Sequence, residues 1–293
     1  MTTGEIMINA AARTLVKNEQ ACAFVITGSD KVASGYGNGD CLLLDFGRAL
    51  FALSDSAERY PSASRDLLAR FVQGLGGADT PGSPEGWLAA VNSAYAGQPY
   101  HHKTTFCCAV LESSGSGSAL TVLHGGDSIV YVACRDTGEI LFCTAPNMNF
   151  AGRSPAIHHI ERVPLARGTE RVVLCSDGLA DMAKNSGVSG EEFMRQVFTR
   201  EIGTIPERVR DLAGAWDGGG RSGHFDDVGV IAFDPARLDG SDRMRILMGG
   251  TTPHHERDFQ ASGIAREPEE RWVRASDLAQ HAALMERCGI VIV

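Results

Sequence analysis

The stretch FALSDS, residues 51–56, is a short apolar run that ends in an aspartate and a small polar residue. Short apolar runs of this kind are typical of buried β-strands, so the sequence predicts a strand that carries Asp55 at its end. VLCSDGL places Asp177 in the same way after an apolar run, and HFDDVGV places Asp226 shortly before one. The three segments together predict strands whose ends present carboxylates.

Two further segments share this design. HGGDS carries Asp127 after an apolar run, and YGNGDCLLL places Asp40 just before one. A single aspartate at a strand end is most often a turn or a helix cap, but five such segments indicate a cluster. Carboxylates gathered at one sheet edge would repel each other unless hard cations neutralised them. Ligation by oxygen alone favours Mg²⁺ or Mn²⁺ over zinc.

Apolar runs of strand length recur through the chain. Several are separated by turn-forming residues such as Asp136-Thr137-Gly138, which is typical of antiparallel hairpins. The runs cover residues 21–27, 41–45, 49–54, 106–112, 119–124, 129–134, 139–143, 171–175 and 228–233. Helical patterns occupy residues 62–75, 85–95, 191–202 and 206–216, with Ser62 as the expected cap of the first helix. Hairpins with paired helices predict an α+β fold in which helices cover the outer faces of sheets.

Charge and composition argue against several classes of protein. The 293 residues include 27 lysines and arginines against 36 aspartates and glutamates, and this net charge of -9 argues against nucleic acid or an anionic membrane as partner. No apolar run approaches the roughly 18 residues that a membrane-spanning helix needs. The first residues lack the basic start and apolar block of a secretory signal. Eight cysteines, mostly in apolar runs and without CxxC spacing, predict reduced core thiols, no zinc site and a cytoplasmic location.

The order of the aspartate segments resembles that of the metal-dependent serine/threonine protein phosphatases of type 2C, the PPM family. The matching motifs are Asn38-Gly39-Asp40, the stretch 51–56, Thr104-Thr105, Gly126-Asp127-Ser128, Ser176-Asp177-Gly178-Leu179 and Asp226-Asp227-Val228-Gly229-Val230. They follow one another in family order over about residues 20 to 235. The chain therefore looks like a divergent, bacterial-like member.

The resemblance implies a fold and a domain organisation. The fold would be a four-layer αββα sandwich of two antiparallel sheets flanked by helices, with metals in a cleft at one sheet edge. Residues 1–240 would form the phosphatase domain. Residues 241–293 would form a C-terminal extension, which either packs on that domain or serves another purpose.

The resemblance also implies roles for individual residues. Asp55 would bridge two metal ions, and the backbone carbonyl of Ser56 would complete the ligands of the second ion. Asp177 and Asp226 would hold the first. Asp40 would orient a water bound to the metals, so that Asp40, Asp55, Asp177 and Asp226 form the catalytic set.

Asp127, together with Asp177, would lie near a third and weaker metal site. The implied cofactors are two Mn²⁺ or Mg²⁺ ions, with a possible third. The implied reaction is hydrolysis of phosphoserine or phosphothreonine in proteins by a metal-activated water, which needs no nucleophilic side chain. A phosphorylated protein is then the expected partner, and the oligomeric state stays open.

The chain departs from the pattern of the family at three single positions and in one turn. An arginine that clamps phosphate in many relatives is replaced by Gly35, and an acidic residue next to Asp40 is replaced by Gly39. A glycine-rich turn becomes Ser56-Ala57-Glu58-Arg59, and a threonine or serine becomes Gly229. These changes leave the metal-binding carboxylates in place, so we expect altered phosphate capture rather than loss of the metals.

A replacement cation would have to come from elsewhere in the chain. The candidates are Lys31, Arg48, Arg59, Arg153 and Arg221, the last of which borders Asp226 together with His224. Two other functions remain open at this stage. One is a weak or inactive pseudophosphatase that regulates a protein partner, and the other is a phosphomonoesterase for a small molecule.

Overall fold

The computed structural model describes residues 4–8, 14–17, 19–28, 31, 37–57, 59–75, 81–114, 117–166, 168–185, 189–217, 226–238, 244–250, 286 and 289–292. The strands are β1 Gly4–Ile8, β2 Thr14–Lys17, β3 Ala21–Ile26, β4 Asp40–Asp45, β5 Leu50–Asp55, β6 Phe106–Ser114, β7 Gly117–Gly125, β8 Ile129–Cys134, β9 Ile140–Cys143, β10 His159–Leu165, β11 Glu170–Cys175, β12 Val228–Phe233, β13 Met244–Gly249 and β14 Ile290–Ile292. The helices are α1 Ala63–Gly74, α2 Pro84–Ala96, α3 Asp177–Asn185, α4 Gly190–Thr199 and α5 Ile205–Asp217, with 3₁₀ turns at Ile202–Thr204 and Pro235–Arg237.

The strands form two seven-stranded sheets. The first has the order β1-β13-β4-β5-β6-β7-β10, and the second has the order β14-β2-β3-β12-β11-β8-β9. Pairing is antiparallel throughout except between β1 and β13, which run parallel. The predicted α+β fold with two antiparallel sheets is therefore confirmed, with this one parallel pair as an exception.

Three apolar layers hold the fold together. Between the sheets, Phe51 of β5 stacks on Phe233 of β12 with ring centroids 4.1 Å apart. Alternate residues of β4 face opposite ways, so that Leu42 joins this central layer while Leu43 packs under α1 and α2. The outer face of the second sheet packs against α3, α4 and α5. This αββα arrangement is the predicted one.

Four of the five helices coincide with the predicted helical segments to within a few residues. The structure adds α3, which starts at Asp177 directly after β11. The sequence alone predicted only the end of a strand at this place. The expected cap at Ser62 is wrong, because Ser62 has helical dihedral angles and its side chain makes no capping hydrogen bond. Ser83 and Ser189 do cap their helices, since their side chains accept from Gly86 N and Glu192 N.

Strands missing from the sequence reading lie mainly at the margins. β10 is an edge strand with mostly exposed or half-buried residues and a proline at position 164. β13 and β14 come after residue 240, and they pair with β4 and β2, respectively. Residues on both sides of position 240 thus contribute to the sheets, while the division of the chain at that position stays a prediction.

The described cysteines are all free thiols. Cys143 is exposed, and the others, Cys22, Cys41, Cys107, Cys108, Cys134 and Cys175, are buried, whereas Cys288 lies outside the described residues. Burial raises the pKa of the Cys175 thiol to about 12, so this neighbour of the aspartate cluster stays protonated. Within the described residues, no helix has the length and hydrophobicity to cross a membrane.

We expect Phe233→Ala to lower the free energy of unfolding by about 3–5 kcal/mol, because it removes the ring that stacks between the sheets. Urea denaturation measures the change. Ile140→Ala is the control, since Ile140 is 44% exposed on β9 and its loss should cost less than about 0.5 kcal/mol. Equal effects of the two changes would contradict the central layer described above.

Candidate metal centre

A cavity of about 400 Å³ opens at one end of the sandwich. All five residues predicted as metal ligands line it, namely Asp55, Ser56, Asp127, Asp177 and Asp226. The other lining residues are Lys31, Ala57, Lys103, Thr104, Thr105, Phe150 and Asp181. The structure therefore brings together residues that are up to 171 positions apart in the chain, while their metal-binding roles stay a prediction.

The backbone of Asp55 is held on both sides where β5 ends. Its N–H donates to Thr105 Oγ1 at 2.8 Å. Its carbonyl accepts from Thr105 N at 2.8 Å and from Thr104 Oγ1 at 2.6 Å. The Thr104-Thr105 motif thus fixes the strand end, which leaves the carboxylate of Asp55 to the cavity.

Asp40 lies opposite Asp55, as its register partner on β4. It is fully buried, and its Oδ2 accepts from Ser176 Oγ at 2.7 Å, a bond that joins the first sheet to the end of β11. Among the described residues its Oδ1 has no hydrogen-bond donor. A buried acceptor oxygen without a donor fits a water that is itself held by cations, as the predicted role of Asp40 requires.

Close contact with Asp40 explains the glycine at position 229. A Cβ there would lie 3.0 Å from Oδ2 of Asp40. Gly229 N instead donates to Ser176 Oγ at 2.9 Å, and the same hydroxyl donates to Asp40. The departure from threonine or serine therefore makes room for Asp40 and its partner.

Asp177 is the first residue of α3, where the positive end of the helix dipole favours a carboxylate. Asp181 lies one turn further along α3 and also lines the cavity. A Cβ on Gly178 would lie 2.0 Å from the carbonyl oxygen of Asp227. Only glycine allows this approach of α3 to the chain before β12, which explains the Ser-Asp-Gly motif.

Asp226 and Asp227 have different tasks. Asp227 is buried, and its carboxylate accepts from Gly28 N at 2.7 Å and from Gly39 N at 2.6 Å. Asp226 is 49% exposed, lines the cavity, and has Lys31 Nζ 3.3 Å from its Oδ1. One member of the pair therefore ties loops of the two sheets together, and the other is available to a ligand.

The turn after Asp55 is built without the glycines of the family. Ser56 N and Ser56 Oγ both donate to Gly39 O at 3.1 Å, and Oγ also lies 2.9 Å from Pro61 O. A Cβ on Gly39 would lie 2.7 Å from the carbonyl oxygen of Ser56. Ser56 is not among the described non-glycine residues with positive φ. Gly39 and Ser56 are thus matched substitutions, which leave the Ser56 backbone unstrained.

The turn that carries Asp127 is held by the loop that follows β9. Asn147 Oδ1 accepts from Gly126 N at 3.1 Å, and Asn147 Nδ2 lies 3.0 Å from His124 Nδ1. Burial, and then the neighbouring His159, lower the pKa of His124 to about 4, so the ring stays neutral and can accept this bond. The loop thereby fixes the position of Asp127 in the cavity wall.

The five candidate cations fall in different places. Lys31 lines the cavity, whereas Arg48 pairs with Asp45 at 2.9 Å outside it. Arg59 and Arg153 are exposed and lie outside the cavity lining. Arg221 lies outside the described residues, as do Gly35 and His224.

Sequence reasoning missed Lys103 and Phe150. Both line the cavity, with Lys103 Nζ 3.8 Å from the centroid of the Phe150 ring. For Lys103, the sequence feature that could have indicated a place in the site is its position directly before the Thr104-Thr105 motif.

The carboxylates repel one another. Burial, followed by the charge of Asp227, raises the pKa of Asp40 well above its ordinary value. Burial, followed by the charge of Asp40, does the same for the pKa of Asp55. Burial and the neighbouring Asp127 raise the pKa of Asp177 to about 6. Divalent cations would remove this repulsion.

The donor set is made of oxygen atoms, which suits Mg²⁺ or Mn²⁺. In the described part of the chain, the carboxylates surround the cavity without converging on one point as a finished group of three ligands. The residues therefore fit divalent cations by their chemistry and by their shared cavity.

Comparison with known proteins bears on the fold. Neither a scan against protein-family models nor a search of curated proteins finds a match. Among solved structures, the catalytic domain of the serine/threonine phosphatase PstP, in complex with two manganese ions, aligns with a TM-score of 0.55 at 20% identity, over 76% of this chain and 98% of its own. Stp1 of Staphylococcus aureus aligns with a TM-score of 0.52 at 16% identity, over 78% and 97%.

The SiaA-PP2C domain of Pseudomonas aeruginosa aligns with a TM-score of 0.51 at 14% identity, over 72% of this chain and 85% of that domain. The chain has the fold of the type 2C phosphatases. At these identities the type 2C likeness establishes the arrangement of sheets and helices, and the activity has to be inferred from the cavity.

We expect Asp227→Asn to lower the free energy of unfolding by about 1–3 kcal/mol, because an amide NH₂ would face one of the two backbone N–H groups that Asp227 now accepts from. Chemical denaturation of the metal-free protein at pH 5 measures this loss, because burial raises the pKa of Asp227 to about 7 and the charge that the change would remove is then absent. Asp226→Asn is the matched neighbour and should cost less, since its side chain is 49% exposed. A larger loss from Asp226→Asn would reverse the assignment of the two aspartates.

The raised pKa of Asp177, about 6 in the fold, also predicts a pH effect. Since an unfolded aspartate titrates near pKa ~3.9, the native state holds the proton more tightly, and stability falls as pH rises through about 6. In the presence of EDTA, Asp177→Asn should therefore melt at a higher temperature than wild type at pH 8. The gain should shrink at pH 5, where Asp177 is largely protonated. Thermal melts at the two pH values test this, and an equal difference at both would contradict it.

Proposed function

We propose that this protein is a metal-dependent phosphatase of the type 2C family that hydrolyses phosphoserine or phosphothreonine in proteins. The observation that carries the proposal is the shared cavity of Asp55, Ser56, Asp127, Asp177 and Asp226 within this fold. All five occupy positions of the motifs, and the four aspartates match the family pattern. The departures at Gly39, Ser56 and Gly229 are accommodated by their neighbours.

The ligands would be distributed as the motifs imply. Asp55 would lie between two Mn²⁺ or Mg²⁺ ions, with the carbonyl of Ser56 on one side and the carboxylates of Asp177 and Asp226 on the other. Asp127 would serve a third, weaker site together with Asp177. When bound, the ions would supply positive charge that offsets the phosphoryl oxygens and lower the pKa of an attacking water.

The protein's own groups would position the reactants. Asp40, whose Oδ1 accepts no hydrogen bond from the described residues, would accept one from the attacking water and so orient it. Lys31 and Lys103 line the cavity and would attract the phosphoryl group, in place of the arginine that is replaced by Gly35. Lys31 Nζ lies 3.3 Å from Asp226 Oδ1, so this cation stands directly beside one of the predicted metal ligands, where a bound phosphoryl group would lie.

Metal binding and hydrolysis are tested separately. Mn²⁺ should raise the melting temperature of the wild type, because ligands that bind the native state stabilise it. The rise should be much smaller for Asp55→Asn and Asp177→Asn. Asp66→Asn on α1 is the control, since its side chain is 47% exposed and it lies outside the cavity lining. No shift in the wild type would reject the metal centre.

Hydrolysis of p-nitrophenyl phosphate and of a phosphothreonine peptide, each with Mn²⁺ or Mg²⁺, tests the activity. We expect Asp55→Asn and Asp177→Asn to lower kcat/KM by more than about 100-fold, since even indirect support of a metal ligand is worth 10–100-fold. Metal binding without hydrolysis of either substrate would identify a pseudophosphatase. Hydrolysis of p-nitrophenyl phosphate alone would favour a phosphatase for small molecules.

A further inference from the structure

Three chain segments lie side by side at one edge of the cavity. Ser56 pairs with Thr104, and Thr104 pairs in turn with Ala151. The N–H of Ala57 donates to the carbonyl of Lys103 at 3.0 Å. Single bridges thus hold residues 56–57, 103–104 and 151 side by side, with Ser56, Lys103 and Thr104 in the cavity lining.

Three cations lie in or next to these segments, namely Arg59, Lys103 and Arg153, and we call them the basic rim. Arg59 and Arg153 are exposed, and Lys103 is half-buried against the Phe150 ring. Within the described residues none of the three pairs with a carboxylate. Several surface cations elsewhere in this acidic chain do pair with one, as in Arg162–Glu112, Arg195–Glu192, Arg237–Glu19 and Lys184–Asp181.

The charge of the rim contrasts with that of the whole chain. Residues 56–60, 100–104 and 150–153 include one acidic residue, Glu58, which lies outside the described residues, whereas the whole chain has a net charge of -9. Cations without carboxylate partners create a local positive potential, which attracts anionic ligands and falls off with salt. Such a potential beside the cavity favours a ligand that carries negative charges on either side of its phosphate group.

Exposed aromatic rings lie next to the basic rim in the sequence. The ring of Tyr60 stacks on that of His102 with centroids 4.3 Å apart, and Tyr60 is 40% exposed. Tyr100, which is 67% exposed, packs against His101. Exposed aromatic rings held by a neighbour bind an extended peptide with little loss of side-chain entropy.

We propose that the basic rim binds acidic residues that flank the phosphorylated serine or threonine, so that the preferred substrates are phosphorylated segments rich in aspartate and glutamate. This inference rests on the proposed function and adds the class of substrate. Arg59 and Arg153 contact the flanking carboxylates, and they act mainly on KM because they lie outside the cavity where hydrolysis occurs.

The test compares three phosphothreonine peptides of equal length, whose flanking residues are glutamate, glutamine or lysine, using the full chain with saturating Mn²⁺. We expect kcat/KM to fall about tenfold from the glutamate to the lysine peptide at low salt, as several exposed ion pairs would produce. The difference should shrink in 0.5 M NaCl. The double variant Arg59→Glu, Arg153→Glu should reverse the order of the peptides through KM.

Two controls separate this inference from the proposed function. p-Nitrophenyl phosphate has no flanking residues, so its kcat/KM should fall much less in the double variant than that of the glutamate peptide. Arg195→Glu makes a charge reversal on α4, away from the rim, and should leave the peptide preference intact. Equal kcat/KM for the three peptides, or an equal effect of Arg195→Glu, would overturn the basic rim while leaving the phosphatase in place. Loss of all hydrolysis in the wild type would overturn the phosphatase itself.

Discussion

Mutual repulsion among aspartates is the constraint around which one end of this sandwich is built. Asp40 and Asp55 belong to strands of the first sheet, whereas Asp177 follows β11 and Asp227 precedes β12 of the second sheet. Burial raises the pKa of all four. The stacking of the sheets, which depends on the apolar layer around Phe51 and Phe233, forces these groups together. This electrostatic cost at one end of the fold is consistent with the proposed binding of cations in the cavity.

The bonds that cross between the sheets at this end use the same aspartates. Asp227 binds the backbone of Gly28 and Gly39, and Asp40 accepts from Ser176. The unusual residues of this chain are explained by these contacts, since Gly229 makes room for Asp40 and Gly39 makes room for Ser56. The departures from the family motifs are therefore matched to their neighbours, Gly229 to Asp40 and Gly39 to Ser56. The carboxylates still line the cavity.

Negative and positive side chains occupy adjacent regions of the surface around the cavity. The cavity wall is acidic, with Lys31 and Lys103 as lining cations, and the rim beside it carries Arg59 and Arg153. Cations in the cavity would turn its potential from negative to positive, and the rim would then extend one continuous basic surface. This arrangement allows recognition of a phosphate and of its surroundings by separate groups, which can be altered independently.

The sequence by itself determined the strands that carry the aspartates and four of the helices, because apolar periodicity and turn residues are local signals. Ordered motifs also placed Asp55, Asp127, Asp177 and Asp226 in one predicted site. Only the tertiary structure decided that β13 lies between β1 and β4, that Asp227 accepts from Gly28 N and Gly39 N, and that Lys103 joins the cavity wall. These features depend on contacts between residues far apart in the chain, and burial at such contacts leaves no local pattern in the sequence.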